Sequence, residues 1–312
     1  MTLLSVTDLH VHYPSQGASL RAVDGVSLDV AAGETVGLVG ESGCGKSSLG
    51  RAVLRLGDRT SGRILFAGED FGAAPEGRLR AFRRRLQMIF QDPYGSLNPR
   101  HSVGDILLAP LTVHGIGKRE ERRRRVHDML DRVGLPRDAA HRFPHEFSGG
   151  QRQRIGIARA LILEPELVVC DEPVSALDLS IQAQIINLLA AMKREMNLSL
   201  LFISHDLSVV RYVADRVLVM YLGRVVESGP HDRLWDHPQH PYTRALIDAV
   251  PDPARRRHAS PLPGDLPSAR NIPAGCRFHA RCPIATDLCR SVDPPLRSVA
   301  PGHQTACHHA GH

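Results

Sequence analysis

Short apolar runs alternate along this chain with longer segments whose apolar residues recur at helical spacing. The four clearest runs are residues 35–39, 167–170, 200–203 and 217–220. Each is as long as a typical β-strand, and the segments between them are long enough to be helices. Strands alternating with helices in this way are typical of a mostly parallel sheet. We therefore expect an α/β core.

Two stretches depart from this alternation. Between residues 103 and 163, Val126, Met129, Leu130 and Val133 repeat at helical spacing and no convincing strand is present, which predicts a helical insertion in the core. After about Pro230, eight prolines crowd a region that also carries three consecutive arginines at 255–257. That composition predicts a linker with little regular structure.

Composition and charge exclude several classes of protein. With 42% hydrophobic and 23% charged residues, the 312-residue chain is neither wholly disordered nor a pure coiled coil. Its longest apolar run, residues 217–222, is far short of the roughly 20 residues needed to cross a bilayer. The first residues lack a secretory signal pattern, so we expect a cytosolic protein. The net charge of +6 fits a nucleic acid, an anionic lipid or a nucleotide as partner and does not choose between them.

The strongest chemical signal is the segment 40–47, GESGCGKS, between an apolar strand and a helical run. It fits the pattern G-x-x-x-x-G-K-[ST], in which backbone N–H groups and a helix N-terminus surround phosphate oxygens. We expect Lys46 to reach the terminal phosphates and the Ser47 hydroxyl to bind Mg²⁺. The residues expected to bind ATP in this segment are Gly40, Ser42, Gly43, Gly45, Lys46, Ser47 and Ser48.

A nucleoside triphosphate site also needs a carboxylate for the metal ion and a group that acts on the attacking water. Asp171 and Glu172 follow the apolar run 167–170. We expect Asp171 to bind Mg²⁺ through water and Glu172 to polarise the nucleophilic water. His205 follows another strand and could bond the γ-phosphate, although a lone histidine there is also typical of a capping residue.

The segment 147–151, FSGGQ, precedes a predicted helix at 152–163 and resembles the signature motif of ATP-binding cassette (ABC) ATPases, with Phe where Leu is commoner. The order of further residues matches the phosphate loop, Q-loop, signature, metal-binding carboxylate with catalytic glutamate, D-loop and switch histidine of that family. In this chain those residues are Lys46, Gln91, Ser148, Asp171 with Glu172, Asp178 and His205. The resemblance covers about residues 1–235.

The resemblance implies a P-loop NTPase core with a mixed or parallel sheet, an N-terminal antiparallel β subdomain, and a helical subdomain at about residues 100–163. It places an ABC ATPase domain at 1–235 and a cysteine-containing C-terminal extension at 236–312. Two such cassettes pair head to tail, so that the signature of one closes over ATP on the phosphate loop of the other.

Residue roles follow from the same resemblance. It implies that Lys46, Gln91, Glu172 and His205 are catalytic, and that Ser47, Gln91 and Asp171 hold Mg²⁺. It adds further contacts to ATP from Tyr13, Ser148, Gly149, Gly150, Gln151 and Asp178. Tyr13 is matched to the aromatic residue that stacks on adenine; the alternative is an ordinary tyrosine at a strand edge.

Two further segments resemble oligopeptide and dipeptide importer ATPases. They are 91–100, QDPYGSLNPR, in the Q-loop, and 240–246, HPYTRAL, which resembles the start of that family's C-terminal extension. This narrower resemblance implies a second cassette, in general a non-identical paralogue, two integral-membrane permease subunits and an extracytoplasmic substrate-binding protein. It also implies a peripheral location at the cytoplasmic face of the membrane.

Four cysteines lie in the tail with the spacing C-x₅-C-x₆-C-x₁₇-C: Cys276, Cys282, Cys289 and Cys307. Four thiolates suit Zn²⁺ or an iron–sulfur cluster, and these gaps are wider than those of most zinc ribbons. The tail resembles the cysteine segment of peptide-importer ATPases, some of which are thought to carry a [4Fe–4S] cluster. A cluster, zinc and metal-free cysteines all stay open at this point.

The resemblance therefore implies an ATP-hydrolysing subunit that powers import of di- and oligopeptides. The alternatives are an importer ATPase for nickel, glutathione or another solute, a cassette ATPase that acts on nucleic acid or ribosomes, and a metal or redox module in which the ATPase is regulatory. Only one cassette is present, with no recognisable helix-turn-helix, so no nucleic acid partner is expected.

Overall fold

The structure, a computed structural model, describes residues 1–14, 19–250, 264 and 267–311. These residues form two compact units. One, the helical unit, contains Met1, residues 31–33 and residues 73–201. The other, the sheet unit, contains residues 2–30, 34–72 and the described residues from 202 onward.

The described residues form β-strands, α-helices and short 3₁₀ turns. The strands are β1 (Thr2–Tyr13), β2 (Leu20–Ala31), β3 (Thr35–Val39), β4 (Ser61–Phe66), β5 (Glu69–Asp70), β6 (Leu86–Ile89), β7 (Leu167–Asp171), β8 (Ser199–Ser204), β9 (Arg216–Tyr221), β10 (Arg224–Pro230), β11 (Arg297–Ala300) and β12 (His303–Thr305). The α-helices are α1 (Lys46–Val53), α2 (Glu76–Arg85), α3 (Val103–Val113), α4 (Arg119–Arg132), α5 (Gly149–Leu161), α6 (Leu179–Met196), α7 (Leu207–Val213), α8 (His231–Asp236), α9 (Pro241–Asp248) and α10 (Asp287–Ser291). Short 3₁₀ turns lie at Arg137–His141, Pro144–Glu146 and His279–Arg281.

The sheet unit contains an antiparallel sheet in the order β2-β1-β4-β5. In a second set of strands, β3 runs parallel to β9, while β9 with β10, β10 with β12 and β12 with β11 are antiparallel. Every residue of β3 is buried, as expected for a parallel strand covered on both faces. The α/β fold with a mixed sheet and an N-terminal antiparallel subdomain is therefore confirmed.

The helical unit is built around two parallel strands, β6 and β7, and five helices. Helix α4 buries Val126, Met129 and Leu130 on one face, which is the spacing that predicted it. The chain between 103 and 163 contains α3, α4, two 3₁₀ turns and α5 and no strand, as the periodicity indicates. Strand β8 begins in this unit and ends in the sheet unit.

The prediction of a linker with little regular structure after Pro230 is wrong for residues 231–248, which form α8 and α9. Proline is compatible with the start of a helix because the first turn has no use for its missing N–H. Pro230 accordingly occupies the position just before α8, and Pro241 is the first residue of α9. Leu234 and Trp235 of α8 and Tyr242 of α9 are buried. The arginines at 255–257 and the prolines between 251 and 263 lie outside the described residues.

None of the helices in the described part of the chain is both long and apolar enough to cross a membrane. The predicted domain boundary at residue 235 falls inside α8.

Candidate nucleotide-binding site

The phosphate loop joins β3 to α1 in the sheet unit, and two of its glycines cannot be replaced without moving the backbone. Gly40 has φ +154° and Gly45 has φ +108°. A Cβ atom on Gly40 would lie 2.2 Å from the carbonyl oxygen of Met220, and one on Gly45 would lie 1.9 Å from that of Ala22. The loop is thus fixed against two neighbouring backbone segments, which is the rigidity that a cradle for phosphate requires.

Lys46 is the first residue of α1 and is buried beneath this loop. Its ammonium donates to the carbonyl oxygens of Gly40 at 2.7 Å and Glu41 at 3.0 Å. These bonds hold the positive charge at the mouth of the loop, where the helix N-terminus adds positive potential. The pKa of the Cys44 thiol in the same loop is raised by burial, so Cys44 is a neutral packing residue there.

Tyr13 is the last residue of β1 and lies beside the start of α1. Its hydroxyl donates to the Ser48 hydroxyl oxygen at 3.3 Å, and 39% of the residue is exposed. The ring is therefore held beside the start of α1 and is partly open to solvent, which is compatible with a base-stacking residue.

The predicted carboxylates belong to the helical unit. Asp171 is the last residue of β7 and is buried. Glu172 follows with φ +45°, a left-handed conformation that non-glycine residues rarely adopt. The Gln91 amide donates to a Glu172 carboxylate oxygen at 3.1 Å, so the structure brings these two predicted catalytic residues together. Strain of this kind is frequent at functional sites.

His205 follows β8 in the sheet unit and is exposed. The next residue, Asp206, caps α7 by accepting the Ser208 N–H at 2.8 Å, and its own N–H donates to the Ser204 hydroxyl oxygen at 3.0 Å. Capping at this turn is therefore the task of Asp206 and not of His205.

The signature segment forms the N-terminus of α5. The Ser148 hydroxyl accepts the Gln151 N–H at 3.4 Å, and the Gln151 side chain accepts the Ser148 N–H at 3.0 Å, which is a capping box. A Cβ on Gly150 would lie 2.5 Å from the Ile181 side chain, so α5 and α6 approach closely at this glycine. Ser148 is itself exposed, and the start of α5 is therefore presented at the surface of the helical unit.

Asp178 has a structural task that sequence reasoning missed. It caps α6, and its carboxylate accepts the Ile181 N–H at 3.2 Å. The pattern that could have revealed this is an Asp directly before a long helical run. Asp178 also lies on the surface next to Leu179, which is 83% exposed.

Comparison of the chain with known proteins identifies the family to which it belongs. Residues 23–175 match the ABC transporter family, and residues 226–289 match the C-terminal region of oligopeptide/dipeptide transporters. The oligopeptide transport ATP-binding protein AppF of Bacillus subtilis is 50% identical over 320 residues, covering 98% of this chain and 97% of AppF. The chain belongs to the ABC transporter ATP-binding subunits.

Other relatives of this ABC subunit agree. The di/tripeptide transport ATP-binding protein DppF of Pseudomonas aeruginosa is 49% identical, covering 99% of this chain and 98% of DppF. Among solved structures, the ATP-binding cassette MJ0796, a dimer in a post-hydrolysis state bound to ADP and Pi, superposes with a TM-score of 0.68 at 27% identity, covering 73% of this chain and 99% of that one. Membership of this family implies use of ATP and Mg²⁺ in ATP hydrolysis.

The C-terminal part of this ABC ATPase supplies two contacts to the phosphate loop that sequence reasoning did not find. The Tyr242 hydroxyl accepts the backbone N–H of Glu41 at 2.8 Å. Arg281 donates to both carboxylate oxygens of Glu41, at 2.7 and 2.9 Å. Burial raises the pKa of Tyr242 well above its ordinary value, so the hydroxyl stays neutral. The HPY segment identified Tyr242 as a family residue and gave no sign of its partner.

The four tail cysteines lie in one lobe. Cys289 and Cys307 are buried, Cys276 and Cys282 are half-buried, and all are free thiols. The pKa of Cys276 is raised to about 11, mainly by burial and in smaller part by the charges of Cys289, Cys282 and Cys307. The Cys289 sulfur also lies 3.4 Å from Nε2 of His309.

Proposed function

We propose that this chain is the nucleotide-binding subunit that hydrolyses ATP to power the import of peptides through a membrane permease. The observation that carries the proposal is the C-terminal region that matches oligopeptide/dipeptide transporters, together with relatives near 50% identity along the whole chain. That region is tied to the phosphate loop through the bond between Tyr242 and Glu41.

In the proposed mechanism, ATP lies on the phosphate loop with its base against Tyr13. Lys46 neutralises charge on the β- and γ-phosphates, and Ser47, Gln91 and Asp171 are proposed to hold Mg²⁺. When bound by these residues, Mg²⁺ would help to balance the negative charge that develops on the phosphates.

Glu172 is proposed to accept a proton from the attacking water while the oxygen of that water bonds to the γ-phosphorus. The bond between the γ-phosphorus and the β–γ bridging oxygen breaks, and ADP and phosphate leave. The amide of Gln91 orients the Glu172 carboxylate, and His205 bonds the γ-phosphate. Ser148, Gly149, Gly150, Gln151 and Asp178 would act on the ATP of a second cassette, and its signature would complete the site here.

The partners follow from the transport role. We infer a second cassette, in general a non-identical paralogue, two integral-membrane permease subunits and an extracytoplasmic substrate-binding protein. The chain would then sit at the cytoplasmic face of the membrane through its permease, since none of its described helices can span the bilayer.

We also propose that Cys276, Cys282, Cys289 and Cys307 hold a [4Fe–4S] cluster. Four thiolates suit such a cluster, and the gaps of five, six and seventeen residues between them are wider than those of most zinc ribbons. Its role would be structural, joining the lobe into one body.

Transport is tested in cells that lack the endogenous subunit and carry either the wild type or Glu172→Gln, by uptake of labelled di- and oligopeptides with nickel uptake alongside. Loss of peptide uptake alone in the variant supports the proposal. Unchanged peptide uptake with lost nickel uptake would move the substrate to nickel, and an effect on neither would refute both assignments.

The cluster is tested by strictly anaerobic purification with iron and acid-labile sulfide analysis. Four irons and four sulfides per chain, and their loss in Cys276→Ser and Cys282→Ser, support it. A colourless, iron-free wild type would refute it.

A further inference from the structure

The most extensive polar contact between the C-terminal part and the phosphate loop is made by Arg281. This arginine immediately precedes Cys282 and is 6% exposed, while Glu41 immediately follows Gly40 of the loop. The two guanidinium–carboxylate bonds are parallel and bidentate, which is the strongest geometry for such a pair. Glu41 is therefore held by its side chain from the tail and by its backbone N–H from Tyr242.

Aromatic packing makes this contact rigid. The Tyr221 ring lies 4.7 Å from that of Tyr242 and 5.3 Å from that of Phe278, and Tyr242 and Phe278 are 5.4 Å apart, each measured between ring centroids. All three residues are fully buried. Since Phe278 lies three positions before Arg281, the arginine extends toward the loop from a well-packed base.

A second arginine next to a second cysteine reaches the same region. Arg277, which follows Cys276, donates to the Asp24 carboxylate and to the carbonyl oxygen of Leu222. The next residue, Gly223, donates its N–H to the carbonyl oxygen of Cys44 in the phosphate loop at 2.9 Å. The segment 276–282 thus reaches the loop by two separate routes, each starting beside a cysteine.

We propose that Arg281 is a positioning residue for ATP hydrolysis, which holds the phosphate loop through Glu41 and so couples nucleotide binding to the cysteine lobe, residues 275–311. The inference rests on the proposed ATPase function. Lys46 donates to the Glu41 carbonyl oxygen, so a displacement of Glu41 also displaces the group that neutralises the phosphates. The Arg281 guanidinium in addition neutralises a carboxylate that would otherwise repel phosphate.

Coupling of this kind is reciprocal. If the lobe stabilises the nucleotide-binding form of the loop, bound nucleotide stabilises the lobe by the same free energy. Two measurements follow, one at each end of the contact. The first is nucleotide affinity, and the second is the protection of backbone amides in residues 276–282 when nucleotide binds.

The affinity test measures the Kd of MgADP for the full-length chain by titration calorimetry. Arg281→Ala should weaken binding about tenfold, and Arg281→Lys less, because a single ammonium cannot make the bidentate pair. The double variant Glu41→Ala, Arg281→Ala should bind no more weakly than Arg281→Ala alone. Arg290→Ala is the matched control from the same lobe, since its ion pair with Asp287 is on the surface at 3.7 Å, and it should bind as the wild type does.

The protection test measures hydrogen–deuterium exchange with and without MgADP. Nucleotide should slow exchange in 276–282 in the wild type and in Arg290→Ala. It should slow exchange less in Glu41→Ala, which removes the Arg281 contact and keeps the route through Arg277. Wild-type affinity in Arg281→Ala, fold-changes that multiply in the double variant, or protection in Glu41→Ala as strong as in the wild type would each overturn the coupling. A wild type that binds no MgADP would overturn the ATPase proposal as well.

Discussion

Glu172 has two features that are typical of catalytic residues. Its backbone has φ +45°, and its carboxylate receives a hydrogen bond from the Gln91 amide. A left-handed non-glycine residue costs on the order of 1 kcal/mol or more, and such residues cluster at functional sites. The carboxylate is thus fixed in orientation by a neighbour that is itself a predicted site residue.

We expect Glu172→Gln to bind MgATP with wild-type affinity and to hydrolyse it about 10²- to 10³-fold more slowly, because the amide keeps the shape and loses the proton acceptor. The measurement is phosphate release by the assembled transporter beside a binding titration on the isolated chain. Glu166→Gln, a change at the Arg85 ion pair, is the control that should leave hydrolysis unchanged. Hydrolysis at the wild-type rate would remove Glu172 from the role of general base.

The pair of Asp24 and Arg277 shows how one residue pair connects distant parts of the sheet unit. Burial alone would raise the pKa of Asp24, but the hydrogen bond and charge of Arg277 outweigh it and lower the pKa to about 2. A carboxyl whose pKa falls on folding stabilises the folded state above its unfolded value of 3.8, and this contribution is lost as the pH falls from about 4 toward 2.

Asp24→Asn should therefore lower the free energy of unfolding at pH 7 by about 3–5 kcal/mol, because it leaves Arg277 buried without its charge partner. Chemical denaturation measures the change. The surface variant Asp287→Asn should cost less than about 1 kcal/mol. Equal losses in the two variants would mean that the Asp24 pair is no more important than an exposed one.

At the scale of elements, α9 depends on a buried histidine. Nδ1 of His240 accepts the N–H of Tyr242 at 3.1 Å, and the backbone N–H of His240 donates to a Glu227 carboxylate oxygen at 2.9 Å. Burial lowers the pKa of His240 to about 4, although Glu227 acts in the opposite direction. Protonation would abolish the cap, since Nδ1 would then carry a hydrogen.

This predicts a pH dependence of stability. The histidine is neutral when folded and has an ordinary pKa of 6.5 when unfolded, so its contribution is complete above about pH 6.5 and is lost as the pH falls toward 4. In His240→Asn, whose side-chain oxygen can still cap α9, the fall in unfolding free energy between pH 7 and 4.5 should shrink by on the order of 1–3 kcal/mol. Thermal unfolding at several pH values measures this, with His101→Gln, on an exposed loop, as control. An unchanged pH profile in His240→Asn contradicts the assignment.

The sequence predicted well the strands whose own residues form a clear apolar run. The apolar runs gave β3, β7, β8 and β9 to within one residue at each end, because a strand buried on both faces is mostly apolar. Helices α8 and α9 were missed because the prediction used the overall proline content of the region. The position of each proline matters more, since proline is compatible with the first turn of a helix.

Contacts between distant positions could not be read from local patterns. Arg281 and Glu41 are 240 positions apart, and Tyr242 and Glu41 are 201 apart. The phosphate loop itself was predictable because its chemistry lies within eight consecutive residues. The contacts that hold the loop in place are tertiary contacts between distant residues, and no periodicity or spacing in the sequence indicates them.

At the scale of the whole molecule, the residues with proposed roles in ATP binding and hydrolysis belong to two units. The phosphate loop, Tyr13 and His205 belong to the sheet unit, whereas Gln91, Glu172 and the signature segment belong to the helical unit. The signature is exposed at the N-terminus of α5, fixed by its own capping box. It is thus preformed, and a group that is preorganised before its ligand arrives contributes most to a transition state.

Ser148→Arg tests whether that surface serves a second cassette. The isolated chain should bind MgATP as the wild type does, because Ser148 lies outside the phosphate loop and its unit. The assembled transporter should lose ATP-dependent peptide uptake by about 10²-fold or more, because a long cation in place of the hydroxyl blocks closure over the partner's nucleotide. Ser298→Arg, an equal change at an exposed serine of β11, is the control. Retained uptake would remove Ser148 from any ATP site, and weaker binding by the isolated chain would place the signature's action within its own subunit.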